Sequence, residues 1–393
     1  MLPCTLLRCL TVMAAVNETF TATVKTVVND GNGLVEHPSG QLFFVPGVWA
    51  EERGIFRITG FKKRHGYARL ETLLEPSRHR ITPPCPHHGF VAGDCGGCPW
   101  QFVDYKAQIS AKQAFVERAL ARLAPKSVRP LWPAPDTLGY RNRAQLKTDG
   151  KSIGYVSAGS NALAPIEDCL VLSDHNRHTL QALLATLPNP AWRPARKQAW
   201  TTLDLDEDVD ASGVSVNRRR PFRQANTVQN MRMRAWLGER LASMTSDGVV
   251  LELFAGAGNF TEAIVAAGSG PVLAVEGDRA ALAALADARL LNVETLAADL
   301  FSDEGIEGVH RRARGATVLV LDPPREGFKG IGNLLSKKSQ FGDIFYISCD
   351  LATFARDAAV CLDRGFVLKE VQPLDQFPQT PHIELLAWFS RKR

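Results

Sequence analysis

The sequence predicts an α/β chain: a doubly wound parallel sheet in its C-terminal part, a small β-barrel at its N-terminal end, and a second β-rich region between them. Three observations carry this. From residue 226 onward, apolar strands alternate with helical segments, the pattern of a parallel sheet covered on both faces. Residues 18–75 hold short β-like runs separated by Gly-rich turns, as in a barrel or sandwich. A further alternating set occupies residues 138–220. With 393 residues, 45% of them hydrophobic, the chain can bury the cores of two or three domains and is neither disordered nor a disulfide scaffold. No apolar run approaches the roughly 20 residues of a spanning helix, so no membrane segment is expected.

The boundaries are expected at 14–76, 77–222 and 223–393. Ahead of them, residues 1–16 are apolar, but Arg8 interrupts the run and no basic segment precedes it. No secretion signal is expected there, and Met13 is an alternative start. In the first domain the runs 19–28, 41–45, 54–58 and 67–74 predict strands, with turns at 29–33 and 38–40. Eight Lys/Arg fall within residues 53–80 against Glu71 and Glu75, which points to a barrel that binds an oligonucleotide. A β domain with no ligand is the plain alternative. Residues 1–248 carry 31 Lys/Arg against 22 Asp/Glu, and residues 249–393 carry 15 against 19. A basic front half suits a polyanionic partner.

Residues 82–100, rich in Pro, Gly and Cys, predict a loop, and a helix is expected over 103–123. Strands follow at 140–146, 152–156, 200–205 and 214–216. In the last domain a helix over 226–243 precedes strand 248–254, a Gly-rich turn and a helix near 260–268. Further strands are expected at 271–275, 316–321, 343–348 and 385–389.

The chemistry concentrates in five places. Glu252-Leu-Phe-Ala-Gly-Ala-Gly-Asn-Phe-Thr261 forms a strand-to-helix turn where glycines admit a ligand to the helix start. Glu276 ends the next strand, where a ribose diol would be held, and Asp299 takes the next such position. Thr261 stands where a dinucleotide fingerprint has its third glycine, which argues against a dinucleotide. The order of these acids resembles class I methyltransferases that use S-adenosylmethionine. Asp322-Pro-Pro-Arg325 follows a buried strand and sets a carboxylate in the crevice at the sheet edge. Cys349, in Tyr346-Ile-Ser-Cys349-Asp350, ends a strand in the same layer and is a candidate thiolate at a helix N-terminus. His382-Ile-Glu384 offers a carboxylate as base. Cys85, Cys95 and Cys98, with Cys169 downstream, suit either tetrahedral zinc or a [4Fe–4S] cluster, and His87 and His88 keep zinc in play. Thiols used this way belong in a reducing, cytoplasmic compartment.

Taken together, the basic β domain, the Cys-rich loop, Phe222-Arg-Gln224, the Glu252 turn, Asp322-Pro-Pro-Arg, Ser348-Cys-Asp and His382-Ile-Glu384 resemble the RNA uridine C5-methyltransferases. The likeness is to the iron–sulfur branch acting on 23S ribosomal RNA, and it runs from about residue 18 to the C-terminus. It implies an N-terminal TRAM barrel that binds RNA, a central β-rich domain carrying a [4Fe–4S] cluster, and a Rossmann-like catalytic domain. By position, Cys349 would be the nucleophile and Glu384 the base that removes the C5 proton. Gln224, Phe254, Asn259, Glu276, Asp299 and Asp322 would line the S-adenosylmethionine site, Asp322 alternatively touching the uracil edge. Phe222 could stack on a flipped base. Cys85, Cys95, Cys98 and Cys169 would hold the cluster, with nine residues between the first two where the family has five. Asp350 stands where many relatives have Asn, and Leu351 where they have Pro. A monomer with no membrane partner is expected.

The chemistry agrees with the resemblance. Uracil C5 is a weak nucleophile until a thiolate adds at C6 and makes it enolate-like. The alternatives are the same reaction on the T-loop uridine of transfer RNA, a non-catalytic RNA-binding iron–sulfur protein, and methylation of an exocyclic nitrogen. Cys349 and Glu384 speak against the last two.

Overall fold

The computed structural model describes residues 14–393 except Arg64, Arg219, 245–247, 336–338 and Arg393, so the reading of residues 1–16 lies almost wholly outside the described residues. The chain divides into two compact units. The first comprises Met1–Gln108, Ser157–Ser160 and Gln379–Pro381, and the second holds the remainder.

In the first unit, β1 (Thr19–Thr23), β2 (Thr26–Val27), β3 (Gly33–Glu36), β4 (Leu42–Val45), β5 (Arg53–Lys62) and β6 (His65–Glu75) form one six-stranded sheet of order β1-β5-β6-β4-β3-β2. Alternation along β5 turns Phe56 and Ile58 inward, where they join Phe20, Val24, Val35, Phe43, Val45, Val48 and Ala68 in one buried core. Gly66 sits where a Cβ would lie 2.2 Å from the Phe43 ring, so the chain crosses that ring only as glycine. The expected run 19–28 is broken at Val24 and Lys25, and β3 lies just after a stretch whose Gly and Asn content predicts only a turn.

Half of the eight basic residues are engaged by acids of the same unit. Arg53 pairs with Glu75 (2.9 Å), Arg57 and Arg69 share Glu71 (3.1 and 2.8 Å), and Arg80 grips the buried Glu52 through two nitrogens (2.5 and 2.7 Å). A count of cations therefore overstates the positive field of this face.

The chain passes to the second unit within α1 (Tyr105–Leu120). There β7 (Arg143–Thr148), β8 (Ile153–Val156), β9 (Leu163–Pro165), β10 (Thr201–Asp206) and β11 (Ser215–Val216) make an antiparallel sheet of order β11-β10-β7-β8-β9. It is covered by α2 (Asp174–Leu184), whose Leu180 and Leu183 enter the core with Leu146, Ile153 and Leu203. Ser173 caps α2 by accepting from Asn176 N–H, a start signal that sequence patterning missed.

After α3 (Thr227–Ala242), the sheet that carries the chemistry is built from β12 (Val249–Leu253), β13 (Val272–Glu276), β14 (Val293–Ala297), β15 (Ala316–Leu321), β16 (Asp343–Ser348), β17 (Phe366–Leu374) and β18 (Glu384–Arg391). Between them run α4 (Thr261–Ala266), α5 (Arg279–Asp287), α6 (Asp303–Arg312), α7 (Ile331–Leu334) and α8 (Leu351–Asp363). The order is β14-β13-β12-β15-β16-β18-β17, with β12 to β16 parallel and β18 antiparallel to both neighbours. Strands β12, β15 and β16 are buried nearly throughout, as helices on both faces demand.

Candidate active site

Every strand of this sheet that matters ends on one edge. Phe254 follows β12, Glu276 closes β13, Asp299 comes two residues after β14, Asp322 follows β15 and Cys349 follows β16. Because β18 runs antiparallel, its first residue, Glu384, reaches the same edge. Ser348 pairs with Leu385, so Cys349 and Glu384 stand one step beyond that rung on neighbouring strands.

The turn after β12 is shaped by backbone that side chains seldom adopt: φ is +60° at Phe254, +56° at Gly256 and +99° at Gly258. Glu276 holds it, accepting from Gly256 N–H (2.9 Å) with one oxygen and from Gly277 and Asp278 N–H (2.7 Å each) with the other. Three of about four acceptor sites are thus used, which leaves capacity for a diol. Asp278 caps α5 instead of facing a ligand. Asn259 exchanges amide hydrogen bonds with Asn230 of α3 (2.8 and 2.9 Å). Phe254 packs against Phe301 and Phe328 at ring-centroid distances of 5.7 and 5.4 Å, and Phe301 is 53% exposed, so an aromatic face stays open beside Asp299. Asp299 itself accepts from Phe301 N–H (2.9 Å).

Beneath the turn, Thr261 Oγ1 donates to the buried Glu252 (2.6 Å). Burial, with Asp322 and Glu276 adding negative charge nearby, pushes the Glu252 carboxyl up to about 8. Burial likewise raises Asp322 to about 7, moderated by a hydrogen bond from Gln224. Gln224 is held in turn by Gln376 Nε2 (3.1 Å). Glu384, 3% exposed, is raised well above the carboxylate range by burial and then by Asp322, with Arg325 opposing. Carboxyls this reluctant to ionise together favour a cationic ligand. The donor set therefore fits the sulfonium and ribose of S-adenosylmethionine.

Cys349 lies directly before Asp350, which caps α8 by accepting from Ala352 and Thr353 N–H (3.0 and 2.8 Å). The expectation of a thiolate at a helix start meets a stronger opposing effect. Burial, then Glu384 and Asp322, push the thiol up to about 12, and Arg325 only partly offsets them. At rest Cys349 is a thiol. Arg325 was quoted in the sequence as part of a turn without a role; it is the cation of this cluster, with Nη2 3.5 Å from His382 Nε2. Burial and the nearby cations lower His382 to about 4, so its ring is neutral.

Phe222 is 69% exposed. The residues just before it are pinned by Arg143, which grips buried Asp204 through two nitrogens (3.1 and 2.6 Å) and donates to the carbonyls of Arg220 and Pro221. Nothing in the sequence marks Arg143, because its partners lie far along the chain.

The cysteines expected to bind a cluster are distributed over both units. Cys85, Cys95 and Cys98 belong to the first unit and Cys169 to the second, and none is in a disulfide. Cys85 N–H donates to Gln101 (3.1 Å), and Cys95 bridges to His88 and Ser157. Cys169 lies 3.7 Å from the Tyr155 hydroxyl, its thiol raised by burial. Among the described residues no group of three or more His, Cys, Asp or Glu is arranged to hold a metal ion. No helix of the described residues is long and apolar enough to cross a membrane.

A doubly wound sheet of order 3-2-1-4-5-7-6, with acids at the tips of its first strands, defines a class I methyltransferase dependent on S-adenosylmethionine. The comparisons narrow the class. A family model described as tRNA (Uracil-5-)-methyltransferase matches residues 209–392. An uncharacterized RNA methyltransferase of Nitrosomonas europaea is 41% identical, over 92% of this chain and 94% of its own length. The 23S rRNA (uracil(1939)-C(5))-methyltransferase RlmD of Pseudomonas putida is 30% identical, over 93% and 92%. In fold, the chain is similar to the Pyrococcus abyssi tRNA (uracil-54, C5)-methyltransferase bound to S-adenosyl-L-homocysteine, with a TM-score of 0.70, 20% identity, and 94% and 99% of the two chains covered. The chain belongs to the RNA (uracil-5-)-methyltransferase family.

Proposed function

We propose that this protein transfers a methyl group from S-adenosylmethionine to C5 of a uridine in 23S ribosomal RNA, with Cys349 as nucleophile and Glu384 as base. The observation that carries the roles is the pairing of β16 with β18, which presents a thiol and a buried carboxyl side by side at the edge where Asp322 and the glycine turn also lie. S-adenosylmethionine, when bound, supplies the methyl group as an electrophile on sulfur. Cys349 gives up its proton to solvent and adds through sulfur to C6 of the uracil, breaking the C5–C6 double bond and placing the electron pair on C5 and O4. C5 would take the methyl group as the bond from that methyl to the donor sulfur breaks, its electron pair staying on the sulfur. Glu384 then removes the C5 proton, and the electrons return to C5–C6 as the Cys349–C6 bond breaks. Asp322 and Gln224 would orient the uracil edge or the methyl donor, and Phe254, Asn259, Glu276 and Asp299 would hold the donor. The target base must leave its stack, and the exposed ring of Phe222 suits a stacking role.

The RNA class rests on the ribosomal-RNA relative. The decisive measurement is tritium release from RNA labelled at uracil C5, with 23S rRNA and transfer RNA transcripts in parallel. Release from ribosomal RNA that requires S-adenosylmethionine is expected. Release from transfer RNA alone would keep the mechanism and replace the substrate, and release from neither would overturn the assignment.

The division of labour among residues 14–76, 77–222 and 223–393, as RNA-binding barrel, cluster domain and catalytic domain, is part of the same reading, as are a cytoplasmic location and a monomeric state. A [4Fe–4S] cluster on Cys85, Cys95, Cys98 and Cys169 is supported by the Cys-x2-Cys spacing and the reduced thiols. Anaerobic purification with about four iron and four sulfide per chain would support it. About one zinc would assign the thiols to that metal, and a metal-free, colourless protein would sink both.

A further inference from the structure

The turn that carries Asp322 and Arg325 is held by the helix that follows the nucleophile. Thr353 Oγ1 donates to Arg325 O (3.0 Å), and Arg356 Nη2 to Glu326 O (2.9 Å). Phe328 N–H donates to Asp357 Oδ2 (2.7 Å). Residues 353, 356 and 357 lie three and four apart on α8 and so share one face of it. The approach is close: Gly327 has φ +70°, and a Cβ there would lie 2.5 Å from both Arg356 Nη2 and Asp357 Oδ2. Asp357 is 1% exposed, and it also accepts from the Tyr346 hydroxyl of β16 (2.7 Å) and from Arg356 Nε (2.8 Å). A buried carboxylate satisfied by three donors is costly to disturb. This one joins the turn after β15, the strand β16 and the helix α8.

We propose that Asp357, seconded by Thr353 and Arg356, is a positioning residue for methylation: it fixes the Asp322–Arg325 turn against the strand and helix that present Cys349, and so sets where the Arg325 guanidinium stands. The inference rests on the proposed roles of Cys349 and Glu384. The charged groups acting on Cys349 are Glu384, Asp322, Asp350 and Arg325. Three of these are acids and Arg325 opposes them, so the placement of its guanidinium governs how readily the thiol ionises and how well negative charge on the uracil is met.

The test is alkylation of Cys349 by iodoacetamide across pH, followed on its peptide by mass spectrometry in the full-length protein. In Asp357→Asn the Arg325 turn is released and the alkylation profile moves to higher pH. The rate at about pH 8 falls roughly tenfold, the effect of one unit. Thr353→Val moves the profile the same way by less. Tyr346→Phe leaves it in place, because Phe328 and Arg356 still hold the carboxylate. Profiles of Asp357→Asn and Thr353→Val that overlay the parent, with only a lower melting temperature, would overturn the proposal. Should Asp357→Asn fail to fold, Thr353→Val decides. Alkylation needs neither RNA nor methyl donor, so a shifted profile stands even where tritium release fails and the proposed substrate falls.

Discussion

At Cys349 two influences oppose each other. The start of α8 favours a thiolate, and burial beside Glu384 and Asp322 favours a thiol. The thiol wins at rest, and so reactivity must be created when RNA arrives. Methylation should therefore rise with pH across the range where Asp322, near 7, and the raised Glu384 lose their protons, because Glu384 accepts a proton only as a carboxylate. Tritium release measured from about pH 6 to 9 checks this; a rate that is flat or falls across that range would contradict the role of Glu384. Substitution separates the two residues further. Cys349→Ala abolishes both covalent trapping of RNA and methyl transfer while S-adenosylmethionine still binds, whereas Glu384→Gln accumulates a methylated RNA–protein adduct visible as a shifted band on a denaturing gel. Turnover surviving in Cys349→Ala would remove the covalent mechanism.

Elements show what the sequence could and could not convey. The central strands β12, β15 and β16 were legible because burial on both faces leaves continuous apolar runs. Edge strands were not: β14 is half-exposed, with Glu294 and Thr295 in it, and β17 carries Lys369 and Glu370 at its middle. Both look like loops or helices to periodicity alone. Site residues that end strands were found by position, since a carboxyl-edge residue in a parallel sheet announces itself. Asn230, Arg143 and Asp357 escaped, because each acts through a partner distant in sequence. The cap of α8 explains a departure noted from the family: Asp350 does the work of Asn there, as the two are equivalent at a helix start. Asp350→Asn is accordingly expected to leave stability within a few tenths of a kcal/mol, and Asp350→Ala to cost about 1 kcal/mol, read from chemical denaturation.

Across the whole molecule, acids that stay protonated impose a pH signature on stability. Glu252 near 8, Asp322 near 7 and Glu384, raised well above the usual carboxylate range, all bind protons in the folded state that the unfolded chain, with ordinary carboxyls near 4, has already released. Their contribution to stability is complete below about pH 4 and is lost as pH rises through 7 and 8. The ligand-free protein should melt at a lower temperature at about pH 8.5 than at 5.5, and Glu252→Gln should flatten that slope; a melting temperature that climbs over this range would refute the raised carboxyls. The N-terminal sheet has its own signature. With Arg53, Arg57, Arg69 and Arg80 engaged by acids, half of the cations of its basic segment are already paired, so RNA binding should show a salt slope below eight. The ladder between β16 and β18 has a further implication. Side chains alternate faces at every residue, so the separation of thiol and base can change only in jumps of two residues, about 7 Å. Deleting Leu385, with the rest of the pairing kept, would turn the Glu384 carboxylate to the opposite face of the sheet. The geometry of this reaction is digital, and gradual drift cannot tune it.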